Sequence, residues 1–176
     1  GQSLVIISGG IDLSVGFVMG LSAVVLATVV QSFSGEAHGV ALAIGILITF
    51  LVCLIPGLIN GLLVTKLKVP PFIGTLGMYG VARGSGFIIA DGMTVPVDND
   101  WLYKLGTGKI LGIPIVVLIV IIVVIIFHFI LSQTKFGQYT YAIGGNREAA
   151  IRSGINVDRH IILIFVLSSF CAFLAG

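Results

Sequence analysis

The sequence predicts an all-α, polytopic transmembrane bundle with one short helix standing outside the membrane, and three observations predict it. Hydrophobic residues make up 57% of the chain and charged residues only 9%, whereas roughly a quarter of a soluble domain is charged. Several apolar runs are long enough to cross ~30 Å of hydrocarbon at ~1.5 Å per helical residue. Positions 115–126 are apolar without interruption, whereas a barrel strand would alternate inward and outward residues over about ten positions. No water reaches the bilayer core, so every backbone N–H and C=O there needs a partner within the protein, and unbroken apolar runs meet that need as helices.

Taken in order, spans are expected over about 13–33, 40–65, 72–90 and 110–131, with a further, incomplete one at 161–176. That last stretch is shorter than the ~20 residues a crossing needs. The chain opens on Gly1, and Leu4-Val5-Ile6-Ile7 reads as the tail of an earlier span. The 176 residues are therefore expected to be an internal part of one longer transmembrane domain. Of the connections, 66–71 and 133–160 hold Lys66, Lys68, Lys135, Arg147, Arg152 and Arg159. Those near 34–39 and 91–109 hold only Lys104 and Lys109, beside Glu36, Asp91, Asp98 and Asp100. The positive-inside bias places the first pair in the cytoplasm and the second outside. In the outer loop 91–109, Gly92 and Pro96 indicate turns, while Trp101 and Tyr103 suit the headgroup level. The loop reads either as an interfacial anchor or as a contact for an external protein.

Within the spans the polar residues are few. Gly9-Gly10-Ile11-Asp12-Leu13-Ser14 interrupts two apolar runs without a basic residue, and irregular backbone at membrane depth survives only inside protein or against a water-filled cavity. Asp12 or Ser14 is expected to cap the following helix, to line a transport path, or both. Asn60, after Pro56, and Thr75 offer uncharged hydrogen-bonding groups to a polar solute or to neighbouring helices. Arg83 sits past the middle of its span; a central arginine costs ~2.5–3.5 kcal/mol on insertion scales, so it must find a partner, a cavity or the interface. His128 reads as interfacial, and Cys53 and Cys171 as packed thiols without metal-like spacing. Gly16 and Gly20, Gly57 and Gly61, and Gly80 and Gly84 are each four apart, stacking on one helix face where another backbone can approach.

The polar island 133–160 contains Asn146-Arg147-Glu148-Ala149-Ala150-Ile151-Arg152-Ser153-Gly154. Asn146 suits an N-cap, Glu148 the first turn of a helix dipole, and Gly154 a left-handed terminus. The result is a surface helix of about two turns. Ala149 and Ala150 keep it thin enough to enter a groove on a soluble partner, and Arg147, Glu148 and Arg152 are placed to pair around it. The formal charge of +2 gives no reason to expect nucleic acid. No nucleophile–base pair, metal cluster or cofactor motif is visible. Gly106-Thr107-Gly108-Lys109-Ile110 imitates a phosphate loop but lacks its upstream spacing and the Ser or Thr after lysine. No cofactor and no enzymatic chemistry are expected, and the chain should not bind ATP itself.

Gly144-Gly145-Asn146-Arg147-Glu148-Ala149-Ala150, followed by Ser153-Gly154-Ile155-Asn156-Val157, resembles the cytoplasmic coupling loop of the permease subunits of bacterial ATP-binding cassette importers, with its Glu-Ala-Ala, three residues, Gly pattern. The likeness extends to positions 9–16, to Gly57-Leu58-Ile59-Asn60-Gly61-Leu62 and to Val69-Pro70-Pro71-Phe72-Ile73-Gly74-Thr75-Leu76-Gly77, in the manner of ribose and xylose permeases. One departure is the absence of a proline between positions 154 and 176. The resemblance implies a multi-pass permease subunit of the bacterial cytoplasmic (inner) membrane that imports a monosaccharide or similar polar solute. Its implied partners are a cytoplasmic ATP-binding subunit, an external solute-binding protein, a second permease subunit (a homodimer) and membrane lipid. Asn146, Glu148, Ala149, Ala150 and Gly154 would couple to the ATPase, and Asp12, Ser14, Asn60, Thr75 and Arg83 are candidates for the solute path. The competing reading is an ion-coupled secondary transporter or channel, for which Asp12 and Arg83 are the charged candidates within the membrane.

Overall fold

The computed structural model describes residues 1–33 and 38–176; Glu36 and its neighbours in the expected outer connection lie outside the described residues. The elements are α1 (Gln2–Ile7), α2 (Val15–Ser32), α3 (His38–Thr65), α4 (Pro71–Ile89), α5 (Asp100–Thr107), a two-residue hairpin of β1 (Lys109–Ile110) and β2 (Ile113–Pro114), α6 (Ile115–Gln133), α7 (Lys135–Gly145), α8 (Arg147–Arg152) and α9 (Val157–Ala175). The all-α membrane bundle expected from composition is the observed architecture.

Among the described residues four helices, α2, α3, α6 and α9, are long and apolar enough to cross a membrane. The expected span at 72–90 forms α4, but α4 is not among the four: Arg83 and the glycines at 74, 77, 80, 84 and 86 lower its apolar character. The final run, expected from 161, starts as a helix at Val157 and does meet the length. Asn156 caps it by accepting from Arg159 N–H at 3.1 Å, and Asp158 stands in its first turn. Proline marks two other starts: Pro71 is the first residue of α4, where its missing N–H costs nothing, and Pro114 precedes α6. The run expected from 110 therefore begins only at Ile115. Before it, Leu111 and Gly112 both adopt positive φ, as a tight hairpin turn requires.

The outer loop also holds more structure than its turn residues suggest. Asn99 accepts from Trp101 N–H at 3.0 Å and Leu102 N–H at 3.3 Å, starting α5, while its amide donates to the His38 carbonyl at 3.0 Å. Lys104 stands 5.4 Å from the Trp101 ring centre.

The most extensive helix pairing is between α3 and α9, with α2 packed against both and α4 laid on α2 and α3. Glycine explains how closely α3 and α9 approach. A Cβ at Gly57 would stand 2.5 Å from the Phe165 carbonyl oxygen, and one at Gly61 would stand 2.8 Å from Ile162 Cα. Of the three glycine pairs with this spacing, this is the one that meets another backbone; Gly16, Gly20, Gly80 and Gly84 have nothing within 4 Å of an added Cβ. Two apolar clusters result. One gathers Leu4, Val5, Val64, Ile143, Ala150, Ile164 and Phe165 beneath the polar island. The other gathers Val18, Leu21, Val25, Cys53, Ala82 and Ala172 between α2, α3, α4 and α9. By contrast α6 has no buried residue.

Forcing a β-branched side chain into the α3–α9 seam overpacks it, and such insertions cost about 1–3 kcal/mol. Gly61→Val is therefore expected to lower the thermal unfolding midpoint of the detergent-solubilised protein, while Gly80→Ala leaves it level or slightly raised. Equal midpoints for Gly61→Val and the parent would refute the seam.

Candidate functional site

The polar residues gather in two places. The first is the break between α1 and α2. Gly9, with φ of +85°, turns the chain out of α1, and the strand of irregular backbone that follows is stitched down by side chains from three other helices. Asp12 is 2% exposed, and Ser14, Asn60, Thr75 and Ser168 are fully buried. Asp12 Oδ1 accepts from Ser14 N–H at 2.9 Å and from the Ser14 hydroxyl at 2.6 Å, while Oδ2 accepts from the Ser168 hydroxyl at 3.0 Å. Asn60 Nδ2 donates to Ser14 Oγ at 3.0 Å. Thr75 Oγ1 accepts from Leu13 N–H at 3.1 Å and lies within donating distance of the Pro71 carbonyl (2.8 Å) and the Ile11 carbonyl (3.2 Å).

This network corrects the capping role expected for Asp12 and Ser14. Ser14 is the residue before α2, yet neither side chain accepts from an N–H of that helix. Asp12 instead folds back on the residue two positions along. The carboxylate has three donors and, among the described residues, no cation within ion-pair distance. Asn60 Oδ1 is buried without a hydrogen-bond partner. Of the five residues assigned to a solute path, four meet here, and Arg83 does not. It lies two turns further along α4 than Thr75, is exposed, and holds its guanidinium 5.7 Å from the Phe17 ring centre beside a shallow cavity of about 400 Å³.

The second place is the polar island, which is more helical than a coupling loop suggests. Thr134 caps α7, which carries the chain to Asn146. There Asn146 Oδ1 accepts from Ala149 N–H at 3.0 Å and starts α8. Gly154 ends it with φ of +82°: Gly154 N–H bonds to the Ile151 carbonyl and Ile155 N–H to the Ala150 carbonyl, at 3.0 and 3.1 Å, the paired terminal bonds of a Schellman motif. At six residues α8 is shorter than the two turns expected. Ala150 is buried against the bundle, whereas Glu148, Ala149 and Ile151 face outward. Glu148 and Arg152 approach at 4.0 Å on the exposed side, a pairing worth little on its own. Arg147 turns the other way, to Asp158 at 3.6 Å.

Between the two places lies a cavity of about 440 Å³, walled by Gly9, Gly10, Lys68, Pro71, Gly144 and Arg147 among others. Gly144 is obligatory there, because a Cβ would collide with the Ile7 carbonyl.

Residues 1–176 match, from end to end, the family described as branched-chain amino acid transport system / permease component. The chain belongs to this permease family. It is 39% identical over 178 residues to the ribose import permease protein of Bacillus subtilis (strain 168), covering 100% of this chain and 53% of that relative. It is 36% identical over 180 residues to the D-allose transport system permease protein of Escherichia coli (strain K12), covering 100% of this chain and 52% of the relative. It is 36% identical over 176 residues to the L-arabinose transport system permease protein of the same organism, with the same shares covered. This permease chain thus spans about half the length of the curated relatives it matches. No solved structure matches it. With four helices among the described residues long and apolar enough to cross a bilayer, it is a multi-pass protein of the inner membrane.

Sequence reasoning missed Ser168, the permease's link from α9 to the break, although the Ser168-Ser169 pair inside an apolar run was a signal of the same kind as Asn60 and Thr75. It also missed the buried contact between Thr140 Oγ1 and His160 Nε2, at 2.9 Å, which ties α7 to α9. Removing the Asp12 carboxylate orphans buried donors at about 1–3 kcal/mol each. Asp12→Ala is therefore expected to lower the thermal stability of the solubilised permease more than Ser168→Ala, which removes one contact only. Equal, negligible shifts in both variants would show that the knot does not hold the break.

Proposed function

We propose that this permease is the membrane subunit of an ATP-binding cassette importer that moves a monosaccharide or similar polar solute into the cytoplasm. A separate ATP-binding subunit grips α8, an external solute-binding protein delivers the solute, and a second copy of the permease completes a homodimer. The observation that carries this reading is α8 itself. It is a capped helix with Glu148 and Ala149 exposed, Ala150 anchored in the core and Gly154 closing it in the left-handed conformation. Relatives named for the import or transport of ribose, allose and arabinose support the sugar class. The basic connections 66–71 and 133–160 support a cytoplasmic location for α8. Asp12, Ser14, Asn60 and Thr75 hold the broken helix beside the route of a polar solute, and Arg83 faces a different surface. Transport follows from two packings of the bundle, favoured respectively by ATP and by the loaded binding protein.

A side chain at Gly154 strains the left-handed terminus and thickens the helix at its end. In the full-length permease, Gly154→Leu is expected to insert normally into the membrane, to lose co-purification with the ATP-binding subunit, and to reduce solute uptake by roughly tenfold or more, the scale of ordinary coupling between sites. Unchanged binding and uptake would discard the docking role. The solute is identified by isolating the complete importer with its binding protein and analysing what that protein carries.

An ion-coupled transporter is the second reading, favoured by the buried Asp12 carboxylate without a cation partner among the described residues and by the orphaned Asn60 Oδ1. Uptake driven by a Na⁺ or H⁺ gradient in ATP-free vesicles distinguishes it.

A further inference from the structure

The connections assigned to the cytoplasmic side, 66–71 and 133–160, contain only two carboxylates, Glu148 and Asp158. They are used differently. Glu148 pairs within its own helix, while Asp158 receives three cations from two other parts of the chain: Lys66 at 3.6 Å, Lys68 at 3.8 Å and Arg147 at 3.6 Å. Its side chain is only 33% exposed, against 62%, 67% and 43% for its partners, so the anion is the sheltered centre and the cations are its rim. Lys68 reaches it from a left-handed backbone conformation, with φ of +56°, that is unfavourable for a residue with a side chain. The turn after α3 is thereby held in a shape that brings both lysines to one carboxylate.

Asp158 also lies in the first turn of α9, and α9 is the helix that reaches the break. Ten residues further along, ~15 Å at helical rise, Ser168 donates to Asp12. Between them α9 is seated on Gly57 and Gly61 of α3, whose backbone contact leaves it little freedom to move independently. A displacement of α8 thus has a continuous route through Arg147, Asp158 and the rigid α9 to the knot at Asp12.

We propose that Asp158 is a positioning residue that transmits movement of α8 to α9 and to the 66–70 turn, acting through charge rather than by touching ATP or solute. The proposal rests on the docking role given to α8, and deepens it by naming where the movement enters the bundle. Replacing the carboxylate by an amide leaves Lys66, Lys68 and Arg147 mutually repelling with nothing to gather them; a glutamate keeps the charge with one added methylene.

The test uses the complete importer in vesicles, with co-purification of the ATP-binding subunit, ATP hydrolysis and solute uptake measured together. Asp158→Asn is expected to retain the ATP-binding subunit and its hydrolysis while solute moved per ATP falls by roughly fivefold or more, and Asp158→Glu is expected to recover most of that ratio. An unchanged ratio in Asp158→Asn overturns the proposal, as does a glutamate variant no better than the asparagine one. Loss of the ATP-binding subunit from Asp158→Asn also overturns it, by making Asp158 part of docking. If Asp158→Asn does not accumulate in the membrane, Lys66→Gln with Lys68→Gln removes the turn's half of the bridge; the same fall in the ratio supports transmission and normal uptake per ATP excludes it. Failure of the docking role itself is read separately, in Gly154→Leu.

Discussion

A helix interrupted inside an apolar bundle must find partners for the backbone groups the interruption frees, and Asp12 is where this permease meets that constraint. Placing a carboxylate in the interior is costly unless donors surround it, and the two serines supply them from opposite sides in sequence, Ser14 beside the break and Ser168 far along α9. Asn60 and Thr75 add α3 and α4 to the same cluster. One short stretch of irregular backbone thereby touches every long helix of the core, so that α2, α3, α4 and α9 share a point of reference independent of their apolar surfaces.

Around that point the bundle is organised by two kinds of contact with different tolerance. Between α3 and α9 the backbones meet directly at Gly57 and Gly61, where added volume has no space. At the rim the joints are electrostatic and partly solvated, Lys66, Lys68 and Arg147 converging on Asp158. The first holds two rods together as one body; the second ties the neighbouring segments to that body through charge rather than through close-packed volume. The Schellman bonds at Gly154 and the burial of Ala150 make α8 a firm projection from that body.

The membrane class was legible because composition alone excludes a soluble domain, and the cluster at the break was largely legible because Asp12, Ser14, Asn60 and Thr75 are conspicuous among apolar neighbours. Their convergence was not: each was picked singly, and a helical repeat does not say which neighbour a face meets. Arg83 is the counterexample, chosen on the same grounds and found on another surface. Asn146 and Gly154 were readable because caps depend on local backbone chemistry. The preceding α7 was not, since Gly137, Gly144 and Gly145 are poor helix formers, and the helix draws on tertiary packing of Ile143 and Thr140. In the outer loop, turn residues concealed α5 because Asn99 serves both as cap and as tether to His38.

The light seating of α6 on the core has a different implication. Its principal contacts are with α5 and β2 at one end and α7 at the other, and Phe127 and Leu131 of its second half rest against the first apolar cluster, so it is moored like an outrigger, at its ends and by a few side chains. Shape matching, which constrains α3 and α9 position by position, exerts little hold on it. What its outward face requires is length and oiliness, and its lean relative to the other rods follows from those few seats and from the anchoring residues at its ends.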